Sequence, residues 1–228
     1  MDSSITIALS LLGGVLPALL WLWFWRKEDR LHPEPRRRVA LTFLGGMVAV
    51  LLVLPVEKLI YAHTGNNFSP FTITLWALTE ELFKFIAIYF IAFRSKEMDE
   101  PIDPVFYMIT GALGFSALEN TFFLYNLIGD GLFTQSIITG NMRFLGATLL
   151  HTASSATIGV LYGLGFYKNL FTKRILLFTG LLASVVLHTI FNLLIIESGK
   201  EIFFIFAGIW VIITLLMVVM EKIKSVHI

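Results

Sequence analysis

The sequence predicts an all-α fold, a polytopic membrane helical bundle of about seven transmembrane helices in a single domain, residues 1–228. Two observations predict this class. Hydrophobic residues make up 57% of the 228 residues, and the mean hydropathy is +0.81, well above that of a soluble domain. The apolar residues also form long runs, each with about the 20 residues that a helix needs to cross ~30 Å of hydrocarbon.

Seven runs of that length follow one another along the chain. In order they are Ile5–Trp25, Val39–Ile60, Phe71–Phe93, Pro104–Leu127, Arg143–Phe166, Ile175–Ile196 and Ile202–Met220. The first run is longer than the apolar core of a signal peptide and has no basic residue before it, so we expect a retained anchor. The weakest boundary lies within 129–140, where a short re-entrant or surface helix is the alternative.

The positions of lysine and arginine predict the orientation of the bundle. The loops after the first, third and fifth predicted spans and the C-terminal tail are basic, whereas the loops between them carry one lysine or none. Because basic loops stay in the cytoplasm, this alternation predicts a multi-pass protein with its N-terminus outside and its C-terminus in the cytoplasm.

Ionisable side chains inside the predicted spans are the strongest functional signal, because a charge at the bilayer centre costs about 2.5–3.5 kcal/mol. The polar residues at these depths are Glu80, Glu81 and Lys84 in the third span, Glu119 and Asn120 in the fourth, His151 in the fifth, and His188 and Asn192 in the sixth. Counted from the span ends, Glu80, Glu119, His151 and His188 all lie roughly 12–14 Å below the outer face. We therefore expect carboxylates and imidazoles from four helices to meet in one layer.

The spacing within the third span adds detail. Glu80 and Lys84 are four residues apart and share a helix face, while Glu81 lies three residues from Lys84 on its flank. We expect one carboxylate to pair with Lys84, whose role is charge compensation, and the other to interact across the bundle.

This set of side chains fits hydrolysis. A buried glutamate can activate a water molecule, the histidines can orient it or protonate the leaving amine, and the Asn192 amide can stabilise an oxyanion. Glu119, His151 and His188 also form an acceptable zinc ligand set, with a second glutamate as the base. The sequence permits both versions, so the cofactor is zinc or none.

Other classes of site fit less well. The chain has no cysteine, which excludes disulfides, thiolate metal sites and a cysteine nucleophile. It has no HExxH or GxSxG motif, and every aspartate lies outside the predicted spans, so an aspartyl dyad is disfavoured. Two alternatives stay open: a proton-coupled transporter, against which we find no internal repeat, and a scaffold that binds a partner helix in the membrane.

Several short segments resemble the PrsW family of membrane proteases, which is related to the CAAX prenyl endopeptidases. They are Glu80-Glu81-Leu82-Phe83-Lys84 (EExxK), Gly114–Asn120 (GFxxxEN), His151 with the small residues after it, His188-Thr189-Ile190-Phe191-Asn192, and Glu34-Pro35. The resemblance covers roughly residues 5–220 and rests on the combination of these motifs.

The resemblance implies a membrane protease of the bacterial plasma membrane. Its substrate would be a single-span membrane protein, an anti-sigma factor cut on its extracytoplasmic side in a stress response, and no nucleic acid would take part. The family's catalytic positions correspond to Glu80, Glu81, Glu119, His151 and His188. Some members carry aspartate where Asn192 stands, whereas the CAAX relatives often carry asparagine, so a CAAX-type protease with other membrane substrates is the alternative.

Overall fold

The computed structural model describes residues 3–28, 33–197 and 202–224, and within these ranges it is a bundle of helices without strands. The α-helices are α1 Ser3–Glu28, α2 Arg36–His63, α3 Pro70–Ile88, α4 Asp103–Gly129, α5 Phe133–Met142, α6 Thr148–Leu164, α7 Leu170–Glu197 and α8 Ile202–Lys224. Two short π-helical segments, Tyr89–Phe93 and Arg143–Ala147, extend α3 and join α5 to α6. The predicted all-α membrane bundle is confirmed.

Five segments of the described chain are long and apolar enough to cross a membrane. They are Ser3–Lys27, Arg36–His63, Phe133–Leu164, Leu170–Glu197 and Ile202–Lys224. The other two predicted spans are helical as well, as α3 with its π-helical extension and as α4, but they are not among these five. They carry Glu80 and Glu81, which the neighbouring helices bury, and Glu119, which is partly exposed. The protein is multi-pass, while seven crossings and the orientation stay predictions.

Helix α4 forms the centre of the bundle. It is buried along most of its length because α1, α2 and α6 pack around it. Gly46 of α2 lies against the backbone carbonyl of Gly111, and Gly114 lies against that of Phe43. A side chain at Gly46 or Gly114 would overlap the opposite backbone, so these glycines let α2 and α4 cross closely. The close crossing places the α4 residue Phe115 beside α2.

The segment between α4 and α6 differs from its predicted boundary. The fifth span was expected to begin at Arg143, but a continuous helix begins ten residues earlier and runs over Phe133–Leu164. Gly131, with a φ of +77°, makes the turn after α4, and no proline follows that would interrupt the helix. The helix contains a π-helical turn at Arg143–Ala147. Such turns are frequent at functional sites.

Polar contacts fix the helix ends at the side of the predicted basic loops. The hydroxyl of Tyr107 on α4 donates a hydrogen bond to Glu34, which is buried just before α2. The Arg38 guanidinium donates to the carbonyl of Ile91 at 2.7 Å and forms an ion pair with Glu97 at 3.0 Å. The Glu34-Pro35 element therefore joins the start of α2 to the central helix.

Candidate active site

The polar residues that the sequence singles out converge inside the bundle. Four helices supply them: α3 carries Glu80, Glu81 and Lys84, α4 carries Glu119, α6 carries His151 and α7 carries His188. The rings of the two histidines lie 5.1 Å apart between their centroids. Apart from Glu119, whose side chain is 22% exposed, all of these residues are buried.

Glu81 is saturated with hydrogen bonds. Its Oε1 accepts from the Lys84 ammonium at 2.6 Å and lies 2.9 Å from Nδ1 of His188. Its Oε2 accepts from the hydroxyls of Ser155 and Ser184, both at 3.0 Å. Four donors therefore surround one carboxylate, which holds Lys84 and His188 in place and has little capacity left to activate a water molecule.

Glu80 has the opposite environment. Its Oε2 is buried and makes no hydrogen bond within the described part of the chain. This atom lies 3.7 Å from Nδ1 of His151, 3.8 Å from Nε2 of His188 and 3.7 Å from Nζ of Lys84. A buried carboxylate oxygen without a hydrogen bond is costly, and the Lys84 ammonium at 3.7 Å compensates its charge without donating to it, so Oε2 of Glu80 can accept a further partner.

The hydrogen bonds of the histidines fix which ring nitrogens face Glu80. An ammonium can only donate, so Nδ1 of His151, 3.0 Å from Lys84 Nζ, is an acceptor, and Nε2–H then donates to Glu119 at 3.0 Å. A carboxylate can only accept, so Nδ1–H of His188 donates to Glu81 and leaves the lone pair of a neutral ring on Nε2. One ring nitrogen of each histidine therefore lies within 3.8 Å of Glu80 Oε2, and the lone pair on Nδ1 of His151 accepts from Lys84 while the lone pair on Nε2 of His188 has no such donor among the described residues.

These donors fit a metal ion. The ligand atoms of Glu80, His151 and His188 all lie within 4.8 Å of one another. Two histidines and one carboxylate are a common ligand set of catalytic zinc, and a carboxylate behind each ligating histidine is the usual outer support. Sequence reasoning expected Glu119 as the carboxylate ligand; the three ligand atoms that lie close together in the structure belong to Glu80, His151 and His188, while Glu119 contacts Nε2 of His151 at 3.0 Å.

Arg143 is a site residue that the sequence analysis missed. From the π-helical turn it donates hydrogen bonds to both Glu119 and Asn120. Asn120 in turn donates to Ser116 at 3.2 Å and to Thr148 at 3.1 Å, which joins α4 to α6. Arg143 is the one lysine or arginine between residues 97 and 167. A single basic residue next to a span that carries a glutamate could have indicated from the sequence that the two side chains pair.

A cavity of about 380 Å³ lies beside the cluster. Its polar lining consists of Glu57, Glu80, Glu119, Asn126, Arg143 and Asn192, together with apolar and aromatic side chains that include Phe115 and Trp76. The structure thus brings Asn192 to the same space as the carboxylates. Glu57 was not among the predicted site residues, because a carboxylate near the end of a span resembles an interfacial one in sequence.

Known proteins with similar sequences identify the family of this chain. A family model described as "PrsW family intramembrane metalloprotease" matches residues 34–220. Protease PrsW of Geobacillus kaustophilus is 30% identical over 195 residues, 82% of this chain and 80% of the relative. Protease PrsW of Halalkalibacterium halodurans is 28% identical over 223 residues, 94% and 95% of the two chains. No solved structure matches significantly. The chain therefore belongs to the PrsW family of intramembrane proteases.

Proposed function

We propose that this membrane protease hydrolyses a peptide bond of a single-span membrane protein in the cavity beside Glu80. One observation carries the proposal: Oε2 of Glu80, which makes no hydrogen bond within the described ranges, lies within 3.8 Å of one ring nitrogen of each histidine, and Glu119 and Glu81 contact the other two ring nitrogens. Neither the transporter nor the scaffold alternative accounts for membership in a protease family.

Glu80, His151 and His188 are the residues that would hold a divalent metal ion. Such an ion supplies a Lewis acid, which polarises the scissile carbonyl and makes water nucleophilic at neutral pH. Charge favours its binding. Glu80, Glu81 and Glu119 carry three formal negative charges, against two positive charges on Lys84 and Arg143, so the cluster has an uncompensated negative charge.

Glu119 is the carboxylate best placed to move the proton. Its contacts to Arg143 and His151 both use Oε2, and its side chain lines the cavity, so we assign the proton transfer to Oε1. This oxygen accepts a proton from the attacking water and returns it to the leaving amine, as one C–O bond forms and the C–N bond breaks. Asn192, which lines the same cavity, donates its amide N–H to the developing oxyanion.

The substrate is a membrane-anchored protein cut on its extracytoplasmic side, and the anti-sigma factor of a stress response is the class that the family resemblance implies. Two observations support this side. The site lies in the half of α2 and α4 that the loop charges assign to the outer leaflet. The predicted basic loops, including the Arg38–Glu97 contact, lie at the other ends of these helices.

The test is cleavage of a panel of single-span reporter proteins by the purified protein in liposomes. We expect cleavage that a chelator abolishes and zinc restores, and its loss in Glu80→Gln. Glu221→Gln makes the same chemical change on the surface of α8, where the Glu221 side chain is 64% exposed, and should cut at the wild-type rate. Undiminished cleavage by a well-expressed Glu80→Gln variant would contradict the proposal.

A further inference from the structure

Glu57 is a carboxylate in the cavity for which the proposed reaction has no use. It lies on α2 near the outer end of the helix, on the same face as Val50, Val53 and Leu54. These three residues are apolar and line the same cavity, so Glu57 is the polar end of an otherwise apolar wall. Its side chain is half-buried and faces the carboxyl group of Glu80.

The backbone at Glu57 is held in place by the cavity rim. The indole N–H of Trp76 donates to the Glu57 carbonyl at 3.1 Å. Trp76 in turn packs against Phe68, with ring centroids 5.7 Å apart, and against Tyr61 at 6.1 Å. A carboxylate on this fixed support is a preorganised binding group rather than a freely moving surface side chain.

Glu57 has no cationic partner within the described ranges. The two cations of the site are committed elsewhere, Lys84 to Glu81 at 2.6 Å and Arg143 to Glu119 and Asn120. The charges nearest to Glu57 across the cavity include the carboxylates of Glu80 and Glu119. This end of the cavity is therefore acidic and would be stabilised by a positive group that arrives with the substrate.

We propose that Glu57 selects substrates with a lysine or arginine next to the scissile bond, at the outer end of the substrate's membrane span. The inference rests on the proposed function. Long basic side chains at helix ends extend toward the membrane interface, which is where the outer end of α2 lies in the predicted orientation. Basic residues are less frequent on outer flanks than on cytoplasmic ones, so this requirement would exclude many single-span proteins.

The test uses four reporters that share one leucine–alanine membrane span and differ at a single outer flanking residue: lysine, arginine, glutamine or glutamate. With the wild-type protein we expect kcat/KM for the lysine and arginine reporters to exceed that for the glutamine reporter about 10- to 100-fold, the range of a charge-assisted hydrogen bond. Glu57→Gln should reduce this ratio to about one, and Glu57→Lys should make the glutamate reporter the best. Lys58→Gln alters the adjacent exposed residue and should keep the wild-type ratio.

Each other outcome has a defined meaning. Equal cleavage of all four reporters by the wild-type protein, or an unchanged ratio in Glu57→Gln, overturns the role of Glu57 and leaves the protease activity established. An equal loss of all four reporters in Glu57→Gln, at a normal melting temperature, overturns it too, because Glu57 would then act on the chemistry. Cleavage of none by the metal-loaded wild-type protein refutes the proposed function together with this selectivity.

Discussion

The adjacent glutamates of α3 should respond differently to the same substitution. Glu81→Gln removes the negative charge that holds Lys84, whose side chain is 0% exposed, and disturbs four hydrogen bonds at once. Breaking a buried ion pair from one side costs about 3–5 kcal/mol, because the remaining charge stays buried without its partner. Glu80→Gln removes a carboxylate whose Oε2 makes no hydrogen bond within the described ranges and leaves Lys84 with its closer partner Glu81, at 2.6 Å rather than 3.7 Å, so we expect a change within about 1 kcal/mol in the metal-free protein.

The assay is thermal unfolding of the metal-free variants in detergent or nanodiscs. For a chain of this size, 1 kcal/mol corresponds to roughly 2–4 °C, so Glu81→Gln should lower Tm by roughly 6–20 °C and Glu80→Gln by at most a few degrees. Both variants should lose cleavage. Glu81→Gln displaces Lys84 and His188, whereas Glu80→Gln removes a ligand of the proposed metal ion. Equal Tm values for the two variants would refute the conclusion that Glu81 stabilises the fold of the site while Glu80 binds the metal ion.

Three further predictions concern the supports of the site. Arg143→Lys should reduce kcat about 10- to 100-fold with little change in KM, because one ammonium cannot hold Glu119 and Asn120 together, and unchanged kinetics would contradict this role. Ser184→Ala should lower the free energy of unfolding by about 1–3 kcal/mol, since a buried oxygen of Glu81 loses a donor; denaturant titration measures it, and a neutral result would contradict the contact. Gly114→Leu should prevent accumulation of folded protein in the membrane, because a side chain there overlaps the α2 backbone, and normal yield and Tm would disprove the close crossing.

Much of the site could be predicted from sequence because charges inside apolar spans are rare. Glu80, Glu81, Lys84, His151 and His188 stand out for that reason alone. Helical spacing also indicates that one glutamate pairs with Lys84. It cannot say which one, because adjacent residues on a helix point ~100° apart and the choice depends on the neighbouring helices. Two serines decide it: Ser155 on α6 and Ser184 on α7 both donate to Glu81.

The parts that sequence did not predict depend on tertiary geometry. Glu119 and Glu80 are equally plausible metal ligands by residue type, and only the packing of α4 against α6 shows that Glu119 contacts the far nitrogen of His151. The position of Arg143 depends on a π-helical turn, which apolar periodicity does not reveal. Glu57 lines the cavity because its side of α2 faces α3 and α4. Predicting where each span begins and ends does not show which side of the helix faces its neighbours.

The most direct test of the central claim is X-ray absorption spectroscopy of the zinc-loaded protein, together with its metal content. If Glu80, His151 and His188 bind one ion, we expect about one zinc per chain, two imidazole ligands at about 2.0–2.1 Å and oxygen ligands at about 2.0–2.2 Å. Glu80→Gln should weaken binding, whereas Glu221→Gln should not. A fully active protein without metal, or a zinc site that survives unchanged in the combined His151→Ala and His188→Ala variant, would contradict the claim.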